Sequence, residues 1–169
     1  TEDGLRKRVV IGGNGGAGKS TLARRLGEHL GLPVVHLDQH FWRPGWVEME
    51  REAWREKVRA LCREERWILD GNFGETADIR FTAADTIIFL DHSPLVCLSR
   101  WFRRYLRYRG GGRPDITAGC PEKIDFVFLR WIWNFPRDSR PRVWERIQSY
   151  GGNAEVVVLR NRREVEAFM

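Results

Sequence analysis

The stretch Val9-Val10-Ile11-Gly12-Gly13-Asn14-Gly15-Gly16-Ala17-Gly18-Lys19-Ser20-Thr21-Leu22 decides the fold of this chain. A short β-branched run leads into a glycine-rich turn, and Leu22, Ala23, Leu26 and Leu30 then recur at helical spacing until Gly31 and Pro33 stop them. Residues 13–20 satisfy GxxxxGK[ST] in the strand–turn–helix setting that makes the match specific. Glycines let backbone N–H groups converge on an anion without an intervening Cβ, and the helix that follows adds the positive end of its dipole. Lys19 is expected to reach the β- and γ-phosphates of a nucleoside triphosphate, and Ser20 to hold Mg²⁺ with a strand-end aspartate acting through water.

Outward from this loop the pattern alternates strand and helix. Val34–Leu37, Trp67–Leu69, Thr86–Leu90 and Val156–Leu159 read as further strands, and Trp54, Val58, Leu61 and Cys62 mark one face of an intervening helix. Ser93-Pro94 is a helix start. Such alternation implies a parallel α/β sheet. Three strands run into aspartates, at Asp38, Asp70 and Asp91, and in open parallel sheets the ligand crevice lies beyond the strands' carboxyl ends. Asp91, just before the helix start, is the weakest of the three and reads as a support for that cap ahead of a functional group.

The 169 residues, 42% hydrophobic and 31% charged, are enough for one domain with its own core. Cys62, Cys97 and Cys120 form no CxxC pair, which suits a reducing cytoplasm. The start TEDGLRKRVV has no apolar signal core, and Phe126–Phe135 is shorter than the ~20 residues that span a bilayer, so no membrane partner is expected. Net charge is +6, with the excess concentrated in residues 94–150, where 12 Lys/Arg face 5 Asp/Glu. Arginine supplies 25 of the 29 basic residues, a bias that suits bidentate grip on phosphate and that genomic base composition can also produce.

Within that segment Leu98, Trp101, Phe102 and Tyr105 fall on one helix face and Arg100, Arg103, Arg104 and Arg107 on the other. Turned toward the loop, the cationic stripe would neutralise triphosphate charge; turned outward, it would meet nucleic acid or anionic lipid. Trp42 and Trp46 flank Arg43-Pro44-Gly45 and either stack on an acceptor ring or pack. His36, Asp38 and His40 form an HxDxH pattern whose imidazoles need not converge on a metal. FVFLRWIWNF, residues 126–135, reads as a buried helix or a subunit interface.

With these residues in place, the chain resembles the adenylate-kinase-related P-loop proteins, and more closely the bacterial DNA topology modulation proteins. The likeness rests on GGNGGAGKST, LPVVHLDQHFWRPGW, RWILDGNF, ADTIIFLD, RYLRYRG, RPDITAGCPEKIDFVFLRWIWNFPRDSRPR and VVVLRNRREV. It implies a nucleoside-monophosphate-kinase-like P-loop NTPase fold over residues 1–169, three α/β/α layers around a five-stranded parallel sheet in the order 2-3-1-4-5. A substrate-binding insertion is expected at about 39–66 and a short arginine-rich lid at about 100–120.

For the site, the resemblance implies that Gly13, Asn14, Gly15, Gly16, Ala17, Gly18, Lys19, Ser20 and Thr21 bind ATP, with Arg160 of VVVLRNRREV in the same set. Asp70 of WILDGN would orient Mg²⁺ beside Ser20, and Asp38 would bind substrate or metal or act as a base. Arg100 and Arg104 fall at the offsets from Asp91 at which adenylate kinases carry ATP-contacting arginines, while Arg137 and Arg140 correspond more loosely to post-lid arginines that hold the transferring phosphoryl group. The long lid of those kinases is replaced by RYRGGGRPDITAGC, which lacks the four ligands of the zinc-bearing variant. The expected activity is Mg²⁺-ATP-dependent phosphoryl transfer to a small-molecule or nucleotide acceptor, by a monomer or homodimer. The alternative is a nucleic-acid-associated NTP-binding protein that affects DNA topology, although no DNA-reading module is evident.

Overall fold

The computed structural model describes residues 6–169, so the amino-terminal TEDGL lies outside the described residues. Strand β1 (Arg8–Gly13) is central because its Val9, Val10 and Ile11 are apolar on both faces, and all three are fully buried. It pairs in parallel with β5 (Trp67–Asp70) on one side and β6 (Thr86–Leu90) on the other. Beyond these lie β2 (Val34–His36) and β7 (Glu155–Leu159), giving β2-β5-β1-β6-β7. A separate antiparallel pair, β3 (Trp42–Arg43) and β4 (Val47–Glu48), forms a small hairpin. Set aside that hairpin, and the order is the expected 2-3-1-4-5.

Successive residues of β1 feed opposite layers, as the period of two requires. Val9 and Ile11 join Leu22, Ala23 and Leu26 of α1 (Lys19–Leu30), Trp101 of α5 (Pro94–Tyr108) and Ile132 of α6 (Phe126–Asp138), with α8 (Arg162–Phe168) at the edge of that layer. Val10 faces the other layer, where α2 (Leu37–Phe41), α3 (Arg51–Arg63), α4 (Ala77–Ala83) and α7 (Arg140–Tyr150) pack. Phe41, Trp54 and Phe73 form an aromatic cluster there, with centroids 4.8–5.2 Å apart. Among the described residues no helix is long and apolar enough to cross a membrane.

Three expectations are corrected here. The second strand ends at His36, so Asp38 sits in the first turn of α2 rather than at a strand end. Leu37 and Phe41 are both buried and lie one helical turn apart, so the chain must coil there to bury both. Phe102, assigned by spacing to the inner face of α5, is 53% exposed, because the stripe that packs runs through Cys97, Trp101 and Tyr105. The 126–135 segment is neither wholly buried nor all interface-like: Ile132 and Phe135 are buried, whereas Phe126, Val127 and Trp133 face outward.

Candidate active site

The turn after β1 is shaped by glycine. Gly16 has φ 75° and Gly18 φ 95°, left-handed conformations that disfavour side chains, and a Cβ on Gly16 would strike the carbonyl oxygen of Cys97. Gly18 is the N-cap of α1 and has no side chain to cap it, so the first-turn N–H groups of Lys19, Ser20 and Thr21 stay open to an anion. Lys19 Nζ donates to the carbonyls of Gly13 (3.2 Å) and Asn14 (2.9 Å) and so curls over the loop. Burial lowers its pKa, against the opposing attraction of Asp70 and Asp38.

Asn14 and Gly15 serve the loop from beneath. The Asn14 amide donates to Ile132 O (2.9 Å) and accepts from Gly15 N–H (2.7 Å), and a Cβ on Gly15 would press into Phe128 and Ile132. Both residues tie the loop to α6. From the other side Asn72 clasps it, accepting from Gly13 N–H (3.2 Å) and donating to Gly13 O (2.7 Å). The register Ile11↔Asp70 carries on past the strand ends to place residue 72 opposite residue 13. Arg80, fully buried, holds that turn by donating to Gly71 O, Asn72 O and Phe73 O, and burial brings its pKa down to about 10.

Asp70 closes β5 and is 4% exposed. One carboxylate oxygen meets His36 Nδ1, which fixes the rotamer, and the other accepts from Ser20 Oγ at 3.3 Å. An oxygen pair of this kind suits Mg²⁺, which takes one or two protein oxygens and keeps the rest of its octahedron for phosphate and water. No group of three or more His, Cys, Asp or Glu among the described residues could cage a metal by itself, and His36 of the HxDxH pattern is committed to Asp70.

A single cleft of about 990 Å³ runs across this floor. On one side stand Thr21 and Arg24 of α1, Arg100, Arg103 and Arg107 of α5, and Arg162 of α8. Arg100 Nη1 donates to Ala17 O (2.9 Å) and to His92 Nδ1 (3.0 Å), which puts the imidazole proton on Nε2. Burial, and then Arg100, lower the His92 pKa. On the other side stand Asp38, Trp42, Trp46, Glu48 and Phe73, faced by Arg113, Asp115 and Glu122 from the chain between α5 and α6. Trp42 Nε1 donates to Asp38 Oδ1 at 3.2 Å. Burial raises the Asp38 pKa despite Arg113 nearby.

The segment after α5 docks on the second of these walls. Gln39 Nε2 donates to Pro114 O (2.6 Å), Thr117 Oγ1 to Gln39 O (3.1 Å) and Trp42 O (2.5 Å), Gly45 N–H to Gly119 O (2.9 Å) and Trp46 Nε1 to Pro121 O (3.1 Å). Three of its charged side chains pair: Arg113 holds Asp115 through two bonds (2.9 and 3.0 Å) and Glu122 through a third (2.8 Å), and Arg104 Nε lies 3.2 Å from Glu122. Burial alone would raise the Asp115 pKa, but the Arg113 hydrogen bonds outweigh it and hold that carboxyl well below its usual range.

Lys19, Ser20, Asp38, Asp70, Arg100 and Arg104 therefore share one cleft. Arg137, Arg140 and Arg160 are not among its lining residues. Arg137 is 75% exposed and pairs with its neighbour Asp138, because the buried stripe of α6 runs through Ile132 and Phe135 and residue 137 falls outside it. Arg140, at the start of α7, pairs with Asp91 at 2.5 Å, which gives both a structural task. Arg160 has an exposed side chain, and Arg162 lines the cleft instead. His92, Asn72, Arg80, Arg113, Asp115 and Glu122 were not singled out from sequence. Of these, only Asn72, within WILDGN, had a visible signal, through strand register.

No family model matches the chain, and no curated protein matches it. Solved structures do. The chain is similar to shikimate kinase from Acinetobacter baumannii in complex with shikimate (18% identity, 97% of this chain and 89% of that one, TM-score 0.60). It is similar also to a gluconokinase from Sinorhizobium meliloti 1021 (17% identity, 96% and 91%, TM-score 0.58) and to deoxyadenosine kinase from M. mycoides with bound dCTP (13% identity, 96% of each, TM-score 0.50). At these identities the likeness is one of fold. The chain has the α/β fold of the nucleoside-monophosphate-kinase-like P-loop kinases. Arg100, Arg103, Arg104 and Arg107 all line the cleft, so the structure does not favour the nucleic-acid alternative.

Proposed function

We propose that the protein is a Mg²⁺-ATP-dependent phosphotransferase acting on a small-molecule acceptor. The observation that carries this is the convergence of Lys19, Ser20, Asp70 and Arg100 on the floor of one cleft whose far half is walled by Asp38, Trp42 and Arg113. In this reading the open N–H groups at the start of α1 and Lys19 grip the β- and γ-phosphates, while Arg100 and the arginines beside it face the triphosphate. Ser20 and Asp70 would hold Mg²⁺, which would supply charge neutralisation for the phosphates. The acceptor oxygen forms a bond to the γ-phosphorus as the bond from that phosphorus to the β,γ-bridging oxygen breaks, and ADP departs with the bridging oxygen. The acceptor's proton passes to the Asp38 carboxylate, whose proton affinity burial raises. Segment 109–125 serves as a lid that keeps water from the γ-phosphorus.

The test is a screen of ADP release against nucleosides, nucleoside monophosphates and small alcohols, with the phosphorus followed by NMR. Phosphate recovered on an acceptor supports the proposal. Recovery only as inorganic phosphate across the screen would count against it and mark the protein as an ATPase.

A further inference from the structure

We infer that the acceptor is an uncharged hydroxyl compound and not a phosphate monoester, because both buried guanidiniums of the acceptor half, Arg104 and Arg113, are already ion-paired with buried carboxylates. This rests on the phosphotransferase reading above and deepens it. A phosphate dianion taken out of water needs cations or several open N–H donors to replace its hydration. Arg113, the guanidinium nearest Asp38 on that wall, has Nε and one terminal nitrogen committed to Asp115 and the other to Glu122. Arg104 Nε lies 3.2 Å from the same Glu122 oxygen, as an ion pair and not an aligned hydrogen bond. Both carboxylates are held within the wall, with side chains 11% and 5% exposed, so these pairs are not loose surface contacts that an arriving anion displaces at little cost.

The remaining groups on that side make an anion less welcome still. Asp38 and Glu48 add two carboxylates, against Lys123, which is exposed at the rim over the Trp46 ring. With Arg104, Arg113, Asp115 and Glu122 included, that wall carries three positive and four negative side chains. Across the cleft the charge pattern is the reverse. Arg24, Arg103, Arg107 and Arg162 are exposed and have no carboxylate partner among the described residues, so four open cations stand where a triphosphate would sit, against Lys123 alone at the acceptor rim. What the acceptor wall does present is the Asp38 carboxylate, able to take a hydrogen bond from a hydroxyl, and the indoles of Trp42 and Trp46. An alcohol satisfies that wall without stranding a charge; a monoester does not.

The experiment titrates AMP, and separately inorganic phosphate, into the whole protein saturated with Mg²⁺ and the non-hydrolysable ATP analogue AMPPNP, by calorimetry. AMPPNP binding is measured first, and its absence would fail the phosphotransferase reading independently of the acceptor. With the nucleotide site filled, wild-type protein is expected to take up neither probe below millimolar concentration. Glu122→Gln, which frees Arg104 and one face of Arg113, is expected to bind AMP at least tenfold more tightly. Asp115→Asn provides the same gain should Glu122→Gln fail to fold by circular dichroism. Micromolar AMP binding to the wild type, or AMP affinity unchanged in both folded variants, overturns the inference. So does faster ADP release from ATP with a nucleoside monophosphate or a hydroxy acid as acceptor, where uncharged nucleosides or polyols are expected to give it.

Discussion

The two halves of the cleft are built from the same residue types and handle charge in opposite ways. On the nucleotide half, Arg24, Arg103, Arg107 and Arg162 stand without carboxylate partners among the described residues, and the loop leaves N–H groups open. On the acceptor half every buried arginine is already answered by a carboxylate, and the segment that carries them is hydrogen-bonded to the wall it covers. The unpaired arginines are exposed, so they stay solvated and open to an arriving anion, whereas the buried ones are paired and fix geometry. Arginine content alone is therefore a poor guide to where phosphate binds, and the partners decide.

The largest test of this contrast is Lys19→Ala. Removing the cation at the floor should cut turnover by roughly 10²-fold or more and weaken ATP binding, with the circular dichroism spectrum unchanged. Retained turnover and affinity would remove the phosphate site from this half altogether.

Arg100 and Arg104 sharpen the comparison, since they lie one turn apart on α5 and only one is carboxylate-paired. Arg100→Ala should lower turnover by on the order of 10²-fold with less effect on ATP affinity. Arg104→Ala should act mainly through the Glu122 network, as lower thermal stability and a raised KM for the acceptor. Equal losses of turnover in both variants would mean that the pairing does not separate the two halves.

A smaller effect distinguishes two aspartates at the sheet edge. Asp70→Asn should raise the Mg²⁺ requirement and slow turnover about tenfold, because it weakens the contact with Ser20. Asp91→Asn should leave the Mg²⁺ dependence alone and cost about 1–2 kcal/mol of stability through Arg140. Magnesium titrations and denaturant unfolding of the pair read this out.

The smallest is a slope. Asp115 has its folded pKa depressed below the unfolded value of 3.8, so it contributes stability above that value and loses it as pH falls through the acid range. Melting temperature should drop below about pH 4, and the drop should be shallower in Asp115→Asn. An identical slope in both proteins would show that the Arg113 pair is not what stabilises the acceptor wall.

The sequence by itself determined the strand–loop–helix unit, because Val9–Ile11, the glycines and the Leu22–Leu26 spacing are local instructions that neighbours along the chain carry out. It determined the parallel sheet for the same reason, and located Asp70, which closes a strand, and Lys19 and Ser20, which open the helix after the glycine-rich turn. Arg137, Arg140 and Arg160 could not be placed from spacing alone, because whether a side chain on a helix or loop reaches the cleft depends on which face that element buries, and burial is settled by its neighbours in space. Asp38 moved from a strand end to α2 because Leu37 and Phe41 both had to reach the core. Only the tertiary structure decided the charge balance of the cleft. Arg104 and Arg113 meet Glu122 across 18 and 9 residues of chain, and a cation's availability depends on partners that sequence separation does not reveal.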